Sequence, residues 1–174
     1  GDEYDHTNPW GEDVYGGVCN PEDPSYDASF VCNDKLIAAY EFSYLYFTPA
    51  AGLVEYSTPE DEHGHGSHTS STAAGNIVSA TLAAPTTVVT STISGVAPHA
   101  NVIMYDACYA NNNTGGSSCT GGALADSVDQ AIADGVDVIS YSISGGSNPV
   151  TDLVEYLFGM AAYYNGTFVS TSAG

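Results

Sequence analysis

Three histidines within six residues, His63, His65 and His68 of Asp61-Glu62-His63-Gly64-His65-Gly66-Ser67-His68, are the groups of this chain best suited to moving a proton near neutral pH. The glycines between them let backbone and substrate approach closely. The small residues Ser70 to Ala74, closed by Gly75-Asn76, predict a helix that begins at once, ends in a left-handed cap and is small enough to pack closely on all sides. A helix N-terminus disfavours the charged imidazolium, and a general base must be a neutral imidazole at working pH. Two other readings fit the same residues. They can be surface histidines of a glycine-rich loop, or metal ligands, because H-x-H-x-x-H approaches the spacing of some zinc hydrolases. Ser67, not a carboxylate, precedes His68, which speaks against metal, but spacing alone does not decide.

Composition limits what can surround such a site. A chain of 174 residues, 43% of them hydrophobic, can bury one sizeable core, so one compact unit is expected. Twenty-one acidic residues face a single Lys or Arg, Lys35, giving a formal charge of −20. That balance excludes nucleic acid and anionic membrane surfaces as partners, and it calls for screening by salt or divalent cations. No apolar stretch approaches the length of a membrane span, and Gly1 to Asp5 do not resemble a signal peptide, so any targeting segment is expected to be already removed. The four cysteines form two local pairs, Cys19 with Cys32 and Cys108 with Cys119, neither at zinc or redox spacing. If bridged, each closes a polar loop and contributes on the order of 3 kcal/mol, which favours an oxidising compartment.

Residues 1–58 are rich in Asp, Asn, Pro, Tyr and Gly, and predict loops that decorate a core, with one strand at Lys35–Phe42. Ile77–Ser94 suits an extended hairpin. From Gly95 the signals alternate. An apolar strand at Asn101–Ala107 is followed by a helix with Leu124, Val128 and Ile132 on one face, a stop at Gly135 and a strand at Val136–Ser142. A second helix follows, with an Asp152/Glu155 capping box and Leu153, Tyr156, Leu157, Met160 and Tyr164 as its apolar face. Asn165-Gly166 ends it before a strand at Thr167–Ser172. Two βαβ units and a parallel sheet are expected. The N-x-[ST] triplets Asn112-Asn113-Thr114 and Asn165-Gly166-Thr167 arise often by chance and place loops only.

Four blocks carry a family resemblance. His65-Gly66-Ser67-His68-Thr69, with Asp61 and Gly64 before it and Ser71-Thr72-Ala73-Ala74-Gly75-Asn76 after it, resembles the histidine motif of the subtilases. Gly95-Val96-Ala97-Pro98-His99-Ala100 resembles the G-V-A-P-x-A turn of that family. Ala131 to Gly146 is similar to A-I-x-x-G-V-D-V-I-x-x-S-L-G-G, and Val169 to Gly174 to V-x-x-A-A-G. Order and spacing agree from about Cys32 to Gly174, and Cys32 to Ile37 lean towards the branch with plant and marine bacterial enzymes.

The resemblance implies peptide-bond hydrolysis through an acyl-enzyme, with His65 as general base and then general acid and His68 in a structural role. It implies that Ser142, Ile143, Ser144 and Gly145 offer backbone groups to an extended substrate, Ser144 standing where the family usually has Gly. Ser172, Ala173 and Gly174 would line the S1 wall, and Ser117, Ser118 and Cys119 the other flank. No cofactor is implied for catalysis, and calcium is implied as a structural ion with no ligands assigned. The family's G-T-S-x-[AS]-x-P nucleophile motif is absent, and none of Asp2, Asp5 and Asp13 ends an apolar strand as its aspartate motif requires. The expectation is therefore an α/β, subtilisin-like catalytic domain over 1–174, its parallel sheet flanked by helices in three layers and cut at both ends. Residues 1–58 form its loop-rich part, and 59–174 its histidine helix and βαβ core. The expected partners are a protein or peptide substrate and the remainder of the same catalytic domain, in an extracellular setting. The rival expectation is a catalytically inactive subtilase-like scaffold with a binding or structural role.

Overall fold

The computed structural model describes residues 4–83, 85, 88–143 and 152–172. Ten strands run in chain order as β1 (Gly16–Gly17), β2 (Leu36–Glu41), β3 (Leu53–Val54), β4 (Val78–Ala83), β5 (Val88–Ile93), β6 (Val102–Asp106), β7 (Cys108–Asn111), β8 (Gly116–Cys119), β9 (Val138–Tyr141) and β10 (Phe168–Thr171). The helices are α1 (Ser43–Tyr46), α2 (His65–Ala74), α3 (Gly121–Asp134) and α4 (Leu153–Met160), the last running into a π-helical turn at Ala161–Asn165. Parallel pairing joins β1 to β2 and β9 to β10, and antiparallel pairing builds β3-β7-β8 and the hairpin β4-β5. The chain is thus an α/β fold with both parallel and antiparallel sheets. It divides into two compact units, one of residues 1–39 and 64–104, the other of residues 40–63 and 105–174.

In the first unit the loop-rich segment does more than decorate. Val18, Ile37, Ala38 and Ala39 are buried, and Gly16 and Gly17 pair with Ala38 and Ala39. Glycine and alanine strands show no apolar alternation, so this piece of core is silent in a hydrophobicity pattern. The Cys19–Cys32 disulfide closes the loop between β1 and β2. Lys35 Nζ donates to the carbonyls of Pro98 (2.8 Å) and Ala100, and Val102 N donates to Lys35 O at 2.7 Å, which fixes β2 against the turn leading into β6.

In the second unit Ala125, Val128 and Ala131 of α3, Ile139 of β9, and Val154 and Ala161 at either end of α4 form the buried cluster. Thr120 caps α3 by accepting from Ala123 N, and Gly135 stops it with a left-handed φ of 71°. The inner face of α4 is Val154, Leu157, Phe158 and Ala161, whereas Leu153, Tyr156 and Tyr164, expected there, are exposed. Both sets keep helical spacing, and packing on Val128 and Ile139 selects the first. Asp152 accepts from Val154 N, but Glu155 Oε2 is buried with no hydrogen-bond partner among the described residues, so the expected capping box is half formed. The unit β9-α4-β10 is parallel, as expected. β6 and β9 belong to different sheets among the described residues, so the earlier βαβ reading is corrected.

Candidate active site

His65 is the first residue of α2, entered through Gly64 at φ 86°. A Cβ on Gly64 would meet nothing within 4 Å, so the backbone conformation, not crowding, demands glycine there. None of the α2 residues is buried, contrary to the close packing expected of small residues. The helix instead satisfies its own polar groups: Thr69 and Ser70 hydroxyls donate to Gly66 O, and those of Ser71 and Thr72 to His68 O. Gly75 is extended at φ −60° and ψ 139°, not left-handed. The helix end is closed from outside, because Gly95, Val96 and Ala97 donate their N–H groups to the carbonyls of Gly75, Thr72 and Ala73. A Cβ on Gly95 would lie 2.7 Å from Ser71 O and 2.8 Å from Ala74 N, so only glycine allows this approach. Two blocks that the sequence presents separately are one object: the G-V-A-P turn is the C-terminal clamp of the histidine helix.

His65 and His68 are both exposed on α2. His63 falls in the other unit, where its N–H donates to Asp61 Oδ1 and its Nε2 lies 3.3 Å from Gly115 O. The three histidines therefore do not act as one set on a helix face.

The cleft residues inferred from the resemblance lie in the second unit. Register pairs Tyr141 with Thr171, and Ser172 N donates to Tyr141 O at 3.1 Å. Ser142 and Ser172 thus leave the paired strands side by side at their carboxyl ends, where open α/β sheets place ligands, with Ile143 next in line. Ser117 and Ser118 are on β8; Ser117 is exposed, and Ser118 Oγ accepts from Asn111 Nδ2 at 3.0 Å. Cys108 and Cys119 are cross-strand partners and disulfide-bonded. Ser144, Gly145, Ala173 and Gly174 lie outside the described residues.

One cluster was missed by sequence reasoning. Glu41, Glu55 and Asp106 bring carboxylate oxygens within 4.8 Å of one another, and Ser43 Oγ donates to both glutamates. Burial first, then the neighbouring carboxylates, pushes Asp106 up to about 8; burial also raises Glu41. Glu62 is pushed up to about 6, by burial and then by Glu55. Glu41 Oε2 is buried and has no hydrogen-bond partner among the described residues, so a bond to Asp106 exists only when one of the two carries a proton. The signal was present, since Leu-Ile-Ala-Ala-Tyr-Glu41 and Val-Ile-Met-Tyr-Asp106 are apolar strands that end in an acid. A second carboxylate, Asp134, is bound differently: it accepts from Tyr105 (2.7 Å), Gln130 and Tyr40, and the stacked tyrosine rings are 5.5 Å apart. It is a structural anchor.

The profile described as the subtilase family matches residues 33–174. The subtilisin-like protease SBT1.7 of Arabidopsis thaliana is 37% identical over 147 residues, covering 83% of this chain and 18% of its own length. The subtilisin-like protease SBT2.5 of the same plant is 35% identical over 185 residues, covering 97% of this chain and 21% of its own length. The chain thus spans only about a fifth of the curated relatives it matches.

Proposed function

The chain belongs to the subtilase family, and we propose that it is the histidine-bearing segment of a secreted serine endopeptidase. The observation that carries this reading is His65 at the exposed mouth of a helix clamped by the G-V-A-P turn. In the complete enzyme His65 accepts the proton of a serine hydroxyl as it attacks the peptide carbonyl, then returns it to the leaving amine. The serine and the aspartate that orients His65 would be supplied by sequence beyond these 174 residues, so the remainder of the catalytic domain is a partner of this segment. The ends of β9 and β10, carrying Ser142, Ile143 and Ser172, would hold an extended peptide through backbone hydrogen bonds, with Ser117 and Ser118 on the opposite flank. Ser144, Gly145, Ala173 and Gly174 share that role by resemblance alone.

The two disulfides favour an extracellular setting. Calcium enters as a structural ion without a chemical role. Glu41, Glu55 and Asp106 offer the hard oxygen donors such an ion takes, and the unpartnered Glu41 Oε2 fits a cation contact.

Replacing His65 by Ala in the complete enzyme is expected to lower kcat by several orders of magnitude with folding intact, the scale known for the triad histidine of subtilisin itself. Near-normal turnover of that variant overturns the assignment. A fluorophosphonate probe should label the wild-type serine, and a folded protein that stays unlabelled would instead be the inactive scaffold.

A further inference from the structure

Residues 112–114, Asn-Asn-Thr, occupy the turn between β7 and β8, and all three are exposed. Their neighbourhood is already committed. Asn111 Nδ2 donates to Ser118 Oγ (3.0 Å), Asn113 Nδ2 to Ala51 O (2.6 Å), and Thr114 Oγ1 to Asn111 O (3.3 Å). Asn112 is anchored through its backbone instead, its N–H donating to Gly52 O at 2.7 Å. The Cys108–Cys119 disulfide holds the base of the same hairpin. Of three consecutive asparagines, the two outer ones are spent on the fold, and the exposed middle one heads an N-x-T triplet.

The second triplet differs. Thr167 is only 2% exposed and its hydroxyl donates to Val136 O, while Asn165 Nδ2 donates to Ile132 O. A glycan acceptor is read through amide and hydroxyl together, and the folded chain offers that pair in solvent at the first triplet and not at the second.

We propose that Asn112 carries an N-linked glycan, a reading that rests on passage of the protein through a eukaryotic secretory pathway. Asn112 Nδ2 attacks the anomeric carbon of a lipid-linked oligosaccharide pyrophosphate. The new C–N bond forms as the sugar C–O bond breaks, the lipid pyrophosphate departs with the bonding pair, and one amide proton passes to a base. The glycan covers an exposed loop that the fold cannot bury, with uncharged hydrophilic bulk on a chain of charge −20.

The complete protein is secreted from a eukaryotic host, deglycosylated enzymatically in heavy-oxygen water and mapped by mass spectrometry. Labelled aspartate at position 112 is expected. Asn112→Gln and Thr114→Ala should each remove one glycan mass, and Thr114→Ser should retain it. Secreted, disulfide-bonded protein with Asn112 unmodified overturns the proposal, as does modification confined to Asn165. Retention inside the cell with reduced cysteines overturns the secreted reading instead, and translation into microsomes behind an added signal peptide then decides Asn112 on the same mass readout.

Discussion

Asp106 is the residue whose charge state the fold perturbs most usefully. Its carboxyl is pushed up to about 8 from an ordinary value of 3.8 by burial and by Glu41 and Glu55, and the chain's single Lys or Arg, Lys35, is spent on carbonyls. Between those two pH values the folded chain holds a proton that the unfolded chain has released, so stability falls as pH rises through the window. Glu62, pushed up to about 6, adds the same slope over a narrower span. Thermal melts in chelator should therefore show Tm falling from pH 5 to pH 9. Asp106→Asn should flatten the profile, and calcium should raise Tm most at the alkaline end. A wild-type Tm that is flat with pH in chelator contradicts the clustered geometry, and an equal calcium response in wild type and Asp106→Asn contradicts the proposed ion. His65 stands at the other extreme: its type and neighbours were legible in the sequence because the chemistry demands a particular residue among glycines.

At the scale of elements, the histidine helix is held at its end and not along its length. None of its residues is buried, so its position depends on the three hydrogen bonds from Gly95, Val96 and Ala97. Gly95→Ala would drive a Cβ into the backbone at Ser71 O and Ala74 N. It should cost about 1–3 kcal/mol or more in denaturant melts and lower activity of the complete enzyme through α2; an unchanged midpoint contradicts the clamp. The α3 cap is an independent test, since Thr120→Ala should cost about 1 kcal/mol and Thr120→Ser most of the way restore it. Periodicity located α3 and the β9 and β10 strands well. It misassigned the inner face of α4, because Val154, Leu157, Phe158 and Ala161 are spaced as regularly as the residues first chosen. It missed the buried β1–β2 pair altogether, because Gly16, Gly17, Ala38 and Ala39 carry too little apolar surface to set a pattern.

For the whole molecule, charge is the dominant global term. With −20 formal charge, self-repulsion weakens the compact state, and added salt screens it. Tm should rise as ionic strength goes from about 0.01 M to about 0.15 M, where the Debye length shrinks from roughly 30 to 8 Å. A salt-independent Tm would mean that local pairing already neutralises the surface. By itself the sequence determined the family, the α/β class, the cysteine pairs and the identity of His65, because each rests on short-range chemistry or on motifs whose residues are contiguous. Only the tertiary structure decided that Glu41, Glu55 and Asp106 meet, that the G-V-A-P turn grips the histidine helix, and that Ser142 and Ser172 leave paired strands together. These depend on loop closure and strand register, which join positions far apart in the chain and leave no local mark on it.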